Sequence, residues 1–168
     1  GAMRARLVER LVPLAAEAHQ QISGAAENLE LRFAAGNGSD FASDLHDSHA
    51  QESRLRQTIV GPHRDDIELL VQGKKAPHYA SEGQQRTVAL ALKIAQAQLF
   101  TQEEGAPPLL LIDDIFGELD PVRRNALLAH LPAGSQKLVT ATTMQWREPE
   151  LTGCIYELRD RQLIPATS

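Results

Sequence analysis

Two adjacent carboxylates, Asp113 and Asp114, follow an apolar run, Leu109-Leu110-Leu111-Ile112. Gly105 and Pro107-Pro108 bound that run upstream, which suits a strand buried on both faces of a parallel sheet. Ligands of open α/β sheets bind beyond the carboxyl ends of the strands. A carboxylate pair there can divide labour. One group holds Mg²⁺, directly or through water, and the other orients or deprotonates an attacking water. Taken alone, the pair reads better as a polar turn closing a core strand.

Ser81 and Gln84 have the spacing of a capping box, so Ser81 is expected to start a helix. The same geometry leaves backbone N–H groups free at a helix N-terminus, and Gly83 allows close approach, which makes a phosphate site. The following residues, about Gln84 to Phe100, are apolar nearly all round: Val88, Ala89, Leu90, Ala91, Leu92, Ile94, Ala95, Leu99 and Phe100. A helix of that kind is buried and holds its terminus rigidly. Glu118-Leu119-Asp120 lies just beyond the carboxylate pair.

This order resembles that of the ABC ATPases: signature motif, Walker B strand, D-loop. The resemblance implies Asp113 on the Mg²⁺ side and Asp114 as the catalytic carboxylate. Most ABC proteins have Glu at the second place, so the shorter Asp114 implies slow hydrolysis. Ser81, Gly83, Gln84, Gln85 and Arg86 would meet an ATP held by a second subunit, and Glu118, Leu119 and Asp120 would form the D-loop. Thr142-Thr143 stand where the family's switch histidine follows its strand, Thr143 being the candidate switch, and a threonine there can hydrogen-bond a phosphate oxygen or a water without carrying charge.

Gly61-Pro62-His63-Arg64-Asp65-Asp66, the Gln72-Gly73-Lys74 turn, Ala80 through Thr87 and Ala89-Leu90-Ala91-Leu92-Lys93 narrow the resemblance to RecF, a family of bacterial recombination mediators. The similarity runs from Leu7 to about Thr143 and matches roughly the carboxyl-terminal half of that family. It implies an α/β fold: a partial ABC-type head (P-loop NTPase, SMC-like) without its Walker A half, and with a helical signature-bearing lobe. Residues 4–104 would form that lobe and residues 105–168 the carboxyl-terminal part of the core sheet. It further implies ATP and Mg²⁺ as cofactors of the intact protein and ATP-driven homodimerisation. Duplex DNA near single-strand gaps and RecR and RecO-like mediators are the implied partners, in recombinase loading. His63 or Arg64 would face nucleotide or the partner subunit.

Composition sets bounds. The chain has 168 residues, 42% hydrophobic and 23% charged, enough for one soluble domain with a core. A net charge of −5 lacks the basic excess of a typical nucleic-acid binder, so the main DNA contacts are expected outside this chain or across a dimer. One cysteine, Cys154, excludes an internal disulfide, and its setting beside Ile155 and Tyr156 suggests a small core residue. Asn37-Gly38-Ser39 matches a glycosylation triplet but reads as a loop. No apolar run approaches membrane-spanning length, and a cytoplasmic location is the simplest expectation. Gly1-Ala2-Met3 looks like the scar of a cleaved tag on a deliberately cut segment.

Along the chain, Leu7, Val8, Leu11, Leu14, Ala15 and Ala18 recur at helical spacing from Arg4 to about Ile22, with Pro13 a candidate kink. This is either one arm of the helical insertion of an SMC-like head or a plain surface helix. Asn28 to Phe33 alternates as a strand. Ser39 or Asp40 caps a helix to about Gln57, whose Asp44, His46, Asp47 and His49 read as a solvated face rather than a metal site. Arg64 is expected to pair with Asp65 or Asp66. Ile67 to Val71, the turn at Gln72–Lys75, and Pro77 to Tyr79 read as a hairpin. Asp120-Pro121 starts a helix with Val122, Ala126, Leu127 and Leu131 on its apolar face, ended by Pro132-Ala133-Gly134. Lys137 to Thr142 is a core strand, and Cys154–Arg159 with Gln162–Ile164 a hairpin about Asp160-Arg161.

Two rival readings keep the same residues. Arg4 to Gln57 can be a protein-docking surface independent of nucleotide, or the chain can be the head of another SMC-like ATPase, against which Gly61 to Asp66 argues. G-x-x-x-x-G-K-[ST] occurs nowhere in the chain. Without that cradle and its lysine, the main donors to the β- and γ-phosphates are missing. The chain by itself is therefore expected to show no ATP turnover above background in a phosphate-release assay. Turnover that Asp114→Asn abolishes would overturn this.

Overall fold

The computed structural model describes residues 1–24, 27–38, 40–143 and 153–166. Helix α1 (Ala2–Ser23) runs through Pro13 as one element and ends at Gly24, whose left-handed φ of 82° lets its N–H reach the Gln20 carbonyl. Strand β1 (Leu29–Ala34) follows, then α2 (Phe41–Leu55), capped by the Asp40 carboxylate, which accepts from Ala42 and Ser43 N–H groups. Ser39, the other candidate cap, lies outside the described residues.

Pro62–Arg64 forms a short 3-10 turn before β2 (Asp66–Val71). β2 pairs antiparallel with β1, Leu31 opposite Leu69, and with the two-residue β3 (Lys74–Lys75). Positive φ at Gln72 and Gly73 makes the tight turn that the hairpin needs. The expected second arm at Pro77–Tyr79 is instead a helical turn, α3 (Ala76–Tyr79). Pro77 fits the first turn of a helix, where no N–H is needed, and would cost a ladder bond in a strand.

Helix α4 (Glu82–Glu104) packs along α1. Ala15 and Ala18 of α1 and Ala91 and Ala95 of α4 are buried, and such small side chains let the two backbones approach. Val8, Ile22, Val88, Leu90 and Ile94 fill the seam and meet Leu29 and Leu31 of β1. α1 is thus a core helix rather than a plain surface one. Ala89 and Phe100 are exposed, so α4 is covered on most of its circumference and not all.

Strand β4 (Leu110–Asp113), helix α5 (Pro121–His130) and strand β5 (Lys137–Thr140) form a β-α-β unit with β4 and β5 parallel. Ile112 and Val139 pack on the core, whereas Leu111 and its register partner Leu138 are 72% and 63% exposed. The expectation of a strand buried on both faces fails because the described residues supply only two strands here and nothing to cover the second face. Val122 likewise departs from its helix's apolar face. It lies in the first turn, 74% exposed, while Leu127 carries the burial. Strands β6 (Tyr156–Arg159) and β7 (Gln162–Pro165) form the expected hairpin, with left-handed Asp160 and Arg161 at its turn. Cys154 is exposed rather than in the core. No described helix is long and apolar enough to cross a membrane.

His19 is wholly buried, with neither ring nitrogen hydrogen-bonded. Burial pushes its imidazole below the usual histidine range, opposed by neighbouring Glu27. The unfolded chain therefore takes up a proton that the folded chain resists. This contribution is intact above the ordinary histidine pKa and is lost as pH falls below it. Stability in thermal unfolding is expected to fall from about pH 7 to about pH 5, by at most about 1.4 kcal/mol per pH unit for one proton, and His19→Leu should flatten that slope.

Candidate functional site

The start of α4 is built by its first residues. The Ser81 hydroxyl accepts from the Gln84 N–H at 3.3 Å, and the Gln84 carboxamide oxygen accepts from the Ser81 N–H at 2.8 Å. The expected capping box is therefore complete. Gln84 also donates through Nε2 to Glu27 Oε1 at 2.8 Å, and Gln85 donates to the Ala80 carbonyl at 3.1 Å. A Cβ added at Gly83 would lie 3.7 Å from the Arg123 guanidinium, an ordinary contact, so packing within this chain does not itself demand glycine there.

Arg86 joins this turn to the loop after β4. Its guanidinium pairs with Glu82 at 2.9 Å, donates to the Glu118 carbonyl at 3.2 Å, and lies 3.6 Å from the Glu118 carboxylate. In that loop Phe116 is fully buried and Leu119 nearly so, both in the core shared with α1 and α4. They hold the Glu118–Asp120 segment from below. Asp120 caps α5, accepting from the Arg123 N–H at 2.9 Å and from its guanidinium at 2.7 Å. The Arg123 N–H above all, and then its guanidinium, hold the Asp120 carboxyl below the usual carboxylate range.

Asp113 and Asp114 end β4 at the surface. Register places Thr140 opposite Asp113, and the Thr140 hydroxyl donates to the Asp113 carboxylate. The Asp114 N–H donates to the Thr140 carbonyl and hydroxyl, each at 3.1 Å. The Asp114 carboxylate turns to Thr142, accepting from its N–H at 3.2 Å and its hydroxyl at 3.4 Å. Asp114 has a left-handed φ of 45°. Thr143, exposed, comes one residue after Thr142. Sequence reasoning missed Thr140 and Thr142 as partners of the pair. The parallel pairing of the two strand ends was the signal that would have found them.

His63 and Arg64 are exposed and both reach Thr58: His63 Nε2 lies 2.9 Å from its hydroxyl, and Arg64 Nε donates to its carbonyl at 3.0 Å. The expected pairing of Arg64 with Asp65 or Asp66 does not form. Asp65 is taken by the Gly36 N–H at 3.0 Å and by Arg4 at 3.1 Å, and the Gly36 bond chiefly holds its carboxyl low. Gly36 must be glycine, since a Cβ would fall 2.3 Å from the Gly61 carbonyl oxygen. On α2, His46, Asp47 and His49 are exposed, and no cluster of metal-binding side chains is found among the described residues.

No protein-family model matches the chain. The DNA replication and repair protein RecF of Symbiobacterium thermophilum is 42% identical over 154 residues, which cover 84% of this chain and 41% of that protein. RecF of a Synechococcus species is 44% identical over 151 residues, 83% of this chain and 40% of that protein. Among solved structures, the recombination mediator protein RecF-ATPrS superposes with a TM-score of 0.79 at 26% identity, over 98% of this chain and 46% of that one. RecF-ATP gives a TM-score of 0.76 over 99% and 46%. The fold is that of part of an ABC-type ATPase head, mixed helix and sheet. The chain belongs to the RecF family, as a carboxyl-terminal part, and spans about 40% of the length of the curated relatives it matches.

The capping box yields a direct test. Ser81→Ala is expected to cost about 1 kcal/mol in urea unfolding, and Ser81→Asp, which keeps an acceptor, much less.

Proposed function

We propose that this chain is the signature- and Walker B-bearing part of a RecF-like ATP-dependent DNA-binding protein that acts in recombinational gap repair. Residues 4–104 serve as the signature lobe and 105–168 as the carboxyl-terminal part of the ATPase core. The observation that carries the reading is the bridge made by Arg86, which sets the start of α4 and the loop after the carboxylate pair side by side.

In this reading each nucleotide sits between one subunit's phosphate loop and Asp113–Asp114 and the other subunit's Ser81, Gly83, Gln84, Gln85 and Arg86. The free first-turn N–H groups of α4 and its positive end suit the γ-phosphate, and the space over Gly83 admits it. Asp113, a hard oxygen donor at a strand's carboxyl end, fits Mg²⁺, which when bound would neutralise phosphate oxygens. Asp114 orients and deprotonates water, steadied by the Thr142 amide. Glu118, Leu119 and Asp120 form the D-loop, with Glu118 and Asp120 facing the partner and Leu119 anchoring the segment in the core. Thr143 stands where a phosphate would be sensed, and His63 and Arg64 lie at the surface toward the second subunit. Bound nucleotide favours the dimer by mass action, and loss of the γ-phosphate loosens it. Duplex DNA near gaps and RecR and RecO-like mediators are the partners.

Light scattering on a protein carrying this chain with its Walker A segment tests the clamp. Mg-ATP should double the mass of wild type, Ser81→Arg should abolish the dimer, and Asp114→Asn should prolong it. An unchanged mass with ATP would reduce the α4 start to a capped core helix.

A further inference from the structure

Arg86 reaches forward from the signature turn to Glu118, and Gln84 reaches back, to a residue 57 positions away. The Gln84 carboxamide has two ends with opposite needs. The oxygen faces the Ser81 N–H, a donor, and the nitrogen faces the Glu27 carboxylate, an acceptor. Turning the amide over would set donor against donor at Ser81 and acceptor against acceptor at Glu27. Glu27 therefore selects the one orientation of Gln84 that completes the capping box.

Glu27 is itself well placed to act as a fixed post. It precedes β1, and the next residue's carbonyl accepts from the Gln72 N–H at 3.0 Å, which ties this stretch to the β1–β2–β3 sheet. Its side chain is 25% exposed. Its second oxygen lies 3.9 Å from Nε2 of buried His19, too far for a hydrogen bond yet close enough for the carboxylate charge to bear on the ring, opposing the effect of burial there.

We propose that Glu27 is a positioning residue for the nucleotide-facing start of α4: it holds the Gln84 amide in register, and His19 backs it from α1. The proposal rests on the clamp reading given above. Without the Glu27 acceptor, the Gln84 amide is free to turn, the Ser81 N–H loses its partner for part of the time, and the turn that would meet the phosphate is less well ordered before ATP arrives. A charge-assisted bond of this kind is strong enough for its loss to weaken ATP-driven association about tenfold.

Two measurements separate the local link from its use. In this chain, the side-chain NH₂ resonances of Gln84, assigned by their loss in Gln84→Ala, should shift in Glu27→Ala and stay near their wild-type positions in Glu27→Gln, which keeps an acceptor oxygen. In the intact head, the ATP concentration for half-maximal dimerisation should rise about tenfold for Glu27→Ala and be restored to within about twofold by Glu27→Gln, with melting temperatures recorded for each. Gln84 resonances that do not respond to Glu27→Ala overturn the link. Shifted resonances with unaltered dimerisation overturn the positioning role and leave the clamp standing. A wild type that never dimerises with ATP overturns clamp and role together.

Discussion

Burial of α4 against α1 is the constraint on which the rest depends. Each apolar side chain taken fully out of water contributes about 1.5–3 kcal/mol, whereas a helix cap contributes about 1 and an exposed ion pair less. The seam of Val8, Ala15, Ala18, Ile22, Val88, Ala91, Ile94 and Ala95 therefore decides where α4 lies, and the polar groups at its start only refine it. Phe116 and Leu119 enter the same core from the loop after β4. One apolar interior thus fixes two chemically distinct segments, which is how residues far apart in the chain come to share a face.

The charges on that face are arranged in compensation. The start of α4 carries the positive end of a helix dipole, and two guanidinium groups, Arg86 and Arg123, lie near it. Glu82 and Glu118 answer Arg86, and Asp120 answers Arg123. These pairs are partly exposed, so they contribute little to stability and more to where the guanidinium groups point. The pair Asp113 and Asp114 is steadied differently, by the Thr140 hydroxyl of the neighbouring strand and by the Thr142 hydroxyl and amide just beyond it.

Much of this was legible in the residues. Ser81-x-x-Gln84 gave the cap, alternation gave β1, the glycine turn gave the end of β2 but not its short partner strand, and Asp120-Pro121 gave the start of α5. What escaped depends on juxtaposition. The run Leu109–Ile112 has the pattern of a strand covered on both faces, which overstates the cover that the two described strands give Leu111. Arg64 has acidic neighbours in sequence, but the fold spends Asp65 on Gly36 and Arg4. Glu27 and Gln84 are linked by no period or spacing, and Thr140 meets Asp113 only through strand register.

The backbone at Asp114 narrows what mutation can place there. A left-handed φ of 45° disfavours most L-residues by about 1–2 kcal/mol, and the short polar side chains tolerate it best. Asparagine or glycine would sit there with ease and carry no carboxylate. Glutamate would keep the carboxylate but gives up the short-side-chain tolerance that eases this backbone. In the role proposed for Asp114, which asks for a carboxylate, aspartate meets both demands, and the shorter acid is the one this backbone holds with least strain.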